Sequence, residues 1–154
     1  MDFNILTFLY AMGCCLISII VAGTSASKKN NKEWFESLNH PDNAFLAKYM
    51  NIVGIIFYLL FGYILYHLIV ANDIVPIIIT IFIIQLMGLC PLLLYKTKKL
   101  KMFLLANLIF FILVPLLIIF LLPINFILAI MVILYLLWFV YDYSYWYRLM
   151  KLNK

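Results

Sequence analysis

Apolar residues run almost without interruption from Ile5 to Ala26, and a polar stretch then opens at Ser27-Lys28-Lys29-Asn30-Asn31-Lys32-Glu33-Trp34 and continues to about Asn43. A second apolar run covers about 45–70 and stops at Ala71-Asn72-Asp73. A third covers 74–95 and stops at Lys96-Thr97-Lys98-Lys99-Leu100-Lys101. Each run can cross about 30 Å of hydrocarbon as a helix rising about 1.5 Å per residue. From Met102 to Tyr147 the one charged residue is Asp142, and this segment is too long for a single crossing. The break is predicted at Pro123-Ile124-Asn125, because proline cannot continue the hydrogen-bond ladder and turns the residue before it away from helix. Spans of about 102–122 and 124–147 result. Pro115 is expected to kink the fourth helix and Pro91 the third, which membrane helices tolerate when neighbours satisfy the freed backbone. The predicted fold is an all-α integral membrane protein: one transmembrane domain over residues 1–154, a five-helix bundle with a long first loop.

Composition supports this reading. The 154 residues are 68% hydrophobic and 11% charged, and mean hydropathy is +1.14, against ~45–50% apolar and ~25% charged in ordinary globular domains. Seventeen charged residues cannot coat a soluble chain of this size, which disfavours a soluble enzyme, a DNA-binding domain or a disordered tail. Placement of the charges tests the span count separately. With five spans, the first loop, third loop and C-terminus share one side. Lys28, Lys29, Lys32, Lys48, Lys96, Lys98, Lys99, Lys101, Arg148, Lys151 and Lys154 all fall on it or at its edge, and they are all the Lys and Arg of the chain. Cytoplasmic loops carry the Lys/Arg excess, so the N-terminus is expected outside and the C-terminus inside. The formal +5 then reflects topology and anionic headgroups, with no nucleic acid as partner. Met1-Asp2-Phe3-Asn4 lacks a basic n-region, so the first span is expected to be a retained helix rather than a cleaved signal.

Polar residues inside the spans carry the candidate chemistry. Asp142 is expected about two turns from the inner end of the fifth helix, where a carboxylate costs ~2.5–3.5 kcal/mol on insertion scales and needs a cavity, a partner or headgroup hydration. Asn107 lies at similar depth in the fourth helix, and Lys48 and Asn51 enter the second from the same side. Together they predict a polar cluster, a wet pocket, under the first loop. Tyr135 and Trp138 share a helical face with Asp142, an aromatic stripe beside a carboxylate that suits a flat, mostly apolar ligand and equally suits core packing. Tyr145, Trp146 and Tyr147 are expected in the interfacial aromatic belt. Gln85 reads as interhelical glue. Cys14, Cys15 and Cys90 read as small packing residues, and no Cys/His spacing predicts a metal site. No phosphate-binding glycine loop, HExxH or GxSxG motif occurs.

Trp34-Phe35-Glu36-Ser37-Leu38-Asn39-His40-Pro41, followed by Tyr58 and Gly62, resembles the first-loop signature of the translocator-protein (TspO/MBR, tryptophan-rich sensory protein) family. There the loop reads W-Y-x-x-L-x-K-P-x-W-x-P-P, followed by W-x-x-L-Y-x-x-x-G. Tyr135-Leu136-Leu137-Trp138, with Leu152-Asn153 fourteen residues after the tryptophan, is similar to the family ending P-Y-x-x-W…L-N. The departures are specific. His40 stands where Lys is usual, Gly54 where the second helix has Trp, Leu134 where Pro precedes Tyr135, Asp142 where alanine is usual, and Trp146 at a common Asn. Asn107 falls close to a common fourth-helix Asp.

The resemblance implies a five-helix bundle, often a homodimer, in the lipid bilayer of a bacterial cytoplasmic membrane. It also implies a pocket under the first loop for porphyrins (protoporphyrin IX or haem) or sterol-like molecules, with Trp34 as lid and Trp138 as wall. The candidate ligand-binding residues are thus Trp34, Trp138, Tyr135, Asp142 and Asn107, with a sensing or transport-related role. No cofactor beyond such a ligand is implied. Light-dependent porphyrin degradation is the enzymatic alternative, ranked lower because most of the family's extra tryptophans are missing. A small proton- or cation-coupled transporter using Asp142 is the other. Ala22 and Ala26 suit close helix contact with a partner.

Overall fold

The structure, a computed structural model, describes residues 4–41 and 49–154. Its helices are α1 (Ile5–Ser27), α2 (Lys29–Glu36), α3 (Met50–Ala71), α4 (Ile74–Thr97), α5 (Leu100–Asn107), α6 (Phe110–Ile124) and α7 (Phe126–Leu152). Five helical lengths suffice to cross a membrane, with α5 and α6 together forming the fourth. Hydrocarbon offers no hydrogen bonds to backbone, so each crossing satisfies its own N–H and C=O groups as helix. Apolar residues such as Leu6, Ile17, Ile112 and Ile127 project outward, exposed in the isolated chain, because lipid is their solvent.

Terminal polar residues punctuate the bundle. The Asn4 side chain accepts from the Thr7 N–H at 3.1 Å. Asn72 takes the left-handed conformation (φ 57°) that ends α3, which asparagine tolerates better than most residues. Pro76 falls in the first turn of α4, where its missing N–H costs no ladder bond. At the foreseen break α6 runs through Pro123 to Ile124, and the extended Asn125 starts α7. Its carboxamide oxygen accepts from Ile127 N–H at 3.0 Å and Leu128 N–H at 3.3 Å. Asn125→Ala removes both bonds and is expected to lower stability by about 1 kcal/mol, read as a lower unfolding midpoint in detergent.

Three expectations change. The polar first loop contains a helix, α2, with Lys29–Glu33 and Lys32–Glu36 pairs at 3.8 and 3.9 Å on its exposed side. The interruption of the fourth span falls at Leu108–Ile109, about two turns before Pro115. There the N–H groups of Leu108, Phe111 and Ile112 reach back three residues rather than four; α4 continues past Pro91 and α6 past Pro115. The last helix continues to Leu152, five residues past its apolar limit, because charge marks the edge of the hydrocarbon and not the end of a helix. Residues 45–48, assigned to the second span, and Lys48 with them, lie outside the described residues.

The spans form a ring in which α1 packs on α3 and α4, α7 packs on α5 and α6, and α4 lies against the α5–α6 pair. The α1–α4 contact is tight because Gly88 lies against Ser18; a Cβ on Gly88 would stand 2.9 Å from the Ser18 carbonyl oxygen. By contrast, α3 and α7 approach closely at few positions. That seam is filled by rings.

Candidate functional site

The seam starts from helical spacing. Gly54, Phe57 and Phe61 fall on one face of α3, and Tyr135, Trp138 and Asp142 on one face of α7. Phe57 meets Tyr135 at 5.0 Å and Trp138 at 6.4 Å between centroids, and Phe61 meets Tyr135 at 4.8 Å. Edge-to-face contacts of this kind add about 0.5–1.5 kcal/mol beyond area burial. Tyr135 is buried and Trp138 half-buried. One turn closer to the loop end, Gly54 leaves the α3 wall open: no described atom lies within 4 Å of where its Cβ would stand. Deeper in the bundle, the hydroxyl of Tyr58 is buried with no hydrogen-bond partner among the described residues.

Asp142 continues the α7 face toward the loop. Its Oδ1 accepts from the Trp146 indole Nε1–H at 3.2 Å, an i,i+4 bond within one helix. Tyr135 and Tyr145 lie within electrostatic range of the carboxylate. Among the described residues the ion pairs are those of α2, so the carboxylate has no cationic partner there. The indole supplies one neutral hydrogen bond and no compensating charge.

Trp146 connects this face to the first loop. Its ring meets Phe35 of α2 at 5.7 Å and Phe103 of α5 at 4.8 Å. His40 packs edge-on against Phe35 at 4.9 Å, and its two nitrogens bridge the loop to α7. Nε2 lies 3.0 Å from the Phe35 carbonyl oxygen and Nδ1 3.0 Å from the Tyr145 hydroxyl. A carbonyl only accepts, so in the neutral ring Nε2–H donates to it and Nδ1 accepts the tyrosine proton. Further out, Asn39 and Asn153 exchange two bonds: Asn39 N–H donates to Asn153 Oδ1 at 2.9 Å, and Asn153 Nδ2 donates to the Asn39 carbonyl at 3.0 Å.

The five candidates from the sequence therefore do not all come together. Tyr135, Trp138 and Asp142 form one continuous face. Trp34 lies elsewhere, against Tyr95 at 6.2 Å. It lines a cleft of about 580 Å³ together with Leu38, Lys98, Lys99, Lys101, Met150 and Asn153. That level on α7 is about 18 Å along the axis from Trp138. Asn107 is buried on α5, where its Nδ2 donates to the Phe103 carbonyl at 2.8 Å; a carboxamide in an apolar setting takes the nearest free lone pair, on its own helix. The expected polar cluster is thus not assembled from its described members, since Asn107 turns to its backbone, Asp142 to Trp146, and Asn51 is exposed.

Sequence reasoning did not foresee that Phe35, His40, Phe103, Tyr145 and Trp146 pack against one another. Tyr145 is fully buried in the bundle, so it is not a belt residue, while Trp146 is half-buried. Tyr147 does face outward, with Lys151 Nζ 4.7 Å above its ring. A signal existed: Asp142 and Trp146 both depart from the family pattern and stand four residues apart.

A second cleft, of about 450 Å³, lies at the opposite end between α1, α3 and α4, and its lining of Leu6, Thr7, Tyr10, Ile69, Ile77 and Ile81 is apolar. Among the described residues no group of three or more His, Cys, Asp or Glu could hold a metal ion. Cys14, Cys15 and Cys90 are free thiols.

Comparison with curated proteins and with solved structures yields no match for this chain. Its sequence matches the TspO/MBR family over residues 11–150, nearly its whole length. With five membrane-length helices, a structured first loop and that match, the chain belongs to the TspO/MBR family.

Proposed function

We propose that this protein holds a flat, largely apolar molecule of the porphyrin or sterol kind in the α3–α7 seam beneath the first loop, in a sensing or transport-related role. The observation that carries the reading is the seam itself, where two helices stay apart and rings fill the gap between them, with open space beside Gly54. Apolar walls with a few placed polar groups are the usual make-up of small-molecule sites. Family membership supports the same reading, since the TspO/MBR family is known for ligand binding. We assign the lysine-rich end, with the first loop, third loop and C-terminus, to the cytoplasm, because Lys and Arg gather on that side of membrane proteins.

Protoporphyrin IX titrated into the purified protein tests this. Binding is expected to quench tryptophan fluorescence, and Trp138→Phe to raise Kd about tenfold through loss of an indole wall. Trp34→Phe, a dozen residues' rise away, is expected to change it less than about twofold. The reverse ranking would move the ligand to the lysine cleft, and unchanged affinity in both variants would sink the site assignment.

A further inference from the structure

The seam carries a charge that a neutral ligand does not use, and it carries it beside a gap. Asp142 stands one turn beyond Trp138 on the seam-facing side of α7, half-buried. One carboxylate oxygen is held by the Trp146 indole at 3.2 Å, and the charge has no cationic partner among the described residues. Helix register places Gly54 of α3 opposite this turn. The antiparallel helices meet at Phe57 against Tyr135 and Trp138, so one turn earlier on α3 faces one turn later on α7. There the α3 wall is empty, with no described atom within 4 Å of a Cβ on Gly54. Two departures from the family pattern therefore lie face to face: a glycine in place of an indole, and a carboxylate in place of a methyl.

We infer that this juxtaposition makes the seam selective for a flat aromatic cation, a ring bearing a protonated or quaternary nitrogen, seated between Gly54 and the Trp138–Asp142 turn. The inference deepens the proposed seam and rests on it. A ring of that kind stacks its face on the Trp138 indole, whose π-density attracts positive charge. Its nitrogen would give the Asp142 carboxylate the cationic partner that the described residues do not supply. Asp142 is then a specificity-determining residue and Gly54 the residue that makes room.

The test compares N-methylquinolinium with its neutral isostere 1-methylnaphthalene, by calorimetric titration in one non-ionic detergent. Wild type is expected to bind the cation at least tenfold more tightly. Asp142→Asn is expected to abolish that preference while keeping affinity for the neutral ring, and Asp142→Glu to retain it. Gly54→Trp is expected to abolish binding of both. Since Asn and Glu variants are compared within each probe, detergent partitioning cancels. Equal affinities in wild type, unchanged in Asp142→Asn, would overturn the charge assignment and leave the seam standing. Unaltered binding of both probes by Gly54→Trp would overturn the seat, and failure of both probes to bind wild type would overturn the seam reading as well.

Discussion

Gly88→Leu is expected to destabilise the protein by about 3 kcal/mol, the upper range for overpacking a close contact. The neighbour of a Cβ at Gly88 is Ser18 of α1, with its carbonyl oxygen at 2.9 Å and its Cα and Cβ at 3.0 Å. Backbone cannot rotate out of the way as a side chain does, so α1 must move off α4 bodily. Two other glycines are the controls. At Gly62 a Cβ would meet Met12 Sδ at 2.9 Å and Cys15 Sγ at 3.1 Å, side-chain atoms that re-rotate, so Gly62→Ala is expected to cost about 1 kcal/mol. At Gly54 nothing described lies within 4 Å, and Gly54→Ala is expected to be neutral or stabilising by up to about 1 kcal/mol through helix propensity. Unfolding midpoints in detergent rank the three. Equal losses at all of them would show that backbone conformation, not the α1–α4 contact, sets the effect.

Tyr145→Ala is expected to cost about 3–5 kcal/mol, as large-to-small changes of buried aromatics do. Tyr145 is fully buried, stacked edge-on with Trp146 at 5.7 Å, and its hydroxyl reaches His40 at 3.0 Å. Tyr145→Phe isolates the hydroxyl: it removes a hydrogen bond worth about 1 kcal/mol and leaves His40 Nδ1 without its donor. The Phe variant should therefore melt slightly earlier and lose protection of the first loop. Limited trypsin digestion at Lys28, Lys29 and Lys32 reads that loss directly. Cleavage as slow in Tyr145→Phe as in wild type would show that the histidine bridge does not hold the loop down.

The spans were legible because lipid imposes a simple rule on composition, and Asp73, Asn125 and the lysine clusters interrupt it at the right places. What composition could not reveal was helix beyond or within those limits. The residues from Arg148 to Leu152 continue α7 past the apolar run, α2 forms from a polar stretch with its own i,i+4 pairs, and the fourth span is interrupted at Leu108–Ile109, where the residues themselves are ordinary apolar ones. Within the seam, Tyr135, Trp138 and Asp142 were recoverable from helical spacing, a local property. Trp34 was placed with them by family pattern alone. Where the loop settles depends on contacts between residues about a hundred positions apart, and no periodicity encodes those. His40 illustrates the limit. Read singly it is a loop histidine replacing a lysine; only beside Tyr145 does the exchange become intelligible, since a lysine ammonium could not accept the phenolic proton.

The clasp between the first loop and the end of α7 also dictates an order of assembly. Asn39 and His40 leave the ribosome early, yet their partners Asn153 and Tyr145 lie 114 and 105 residues later in the chain. During insertion the first three spans can settle in the bilayer while the loop above them has nothing to close against. The seam, likewise, gains its second wall only when α7 arrives. At that stage the proposed seam is half-built, so binding competence would report on completed synthesis: a nascent chain stalled before Tyr135 lacks Tyr135, Trp138 and Asp142.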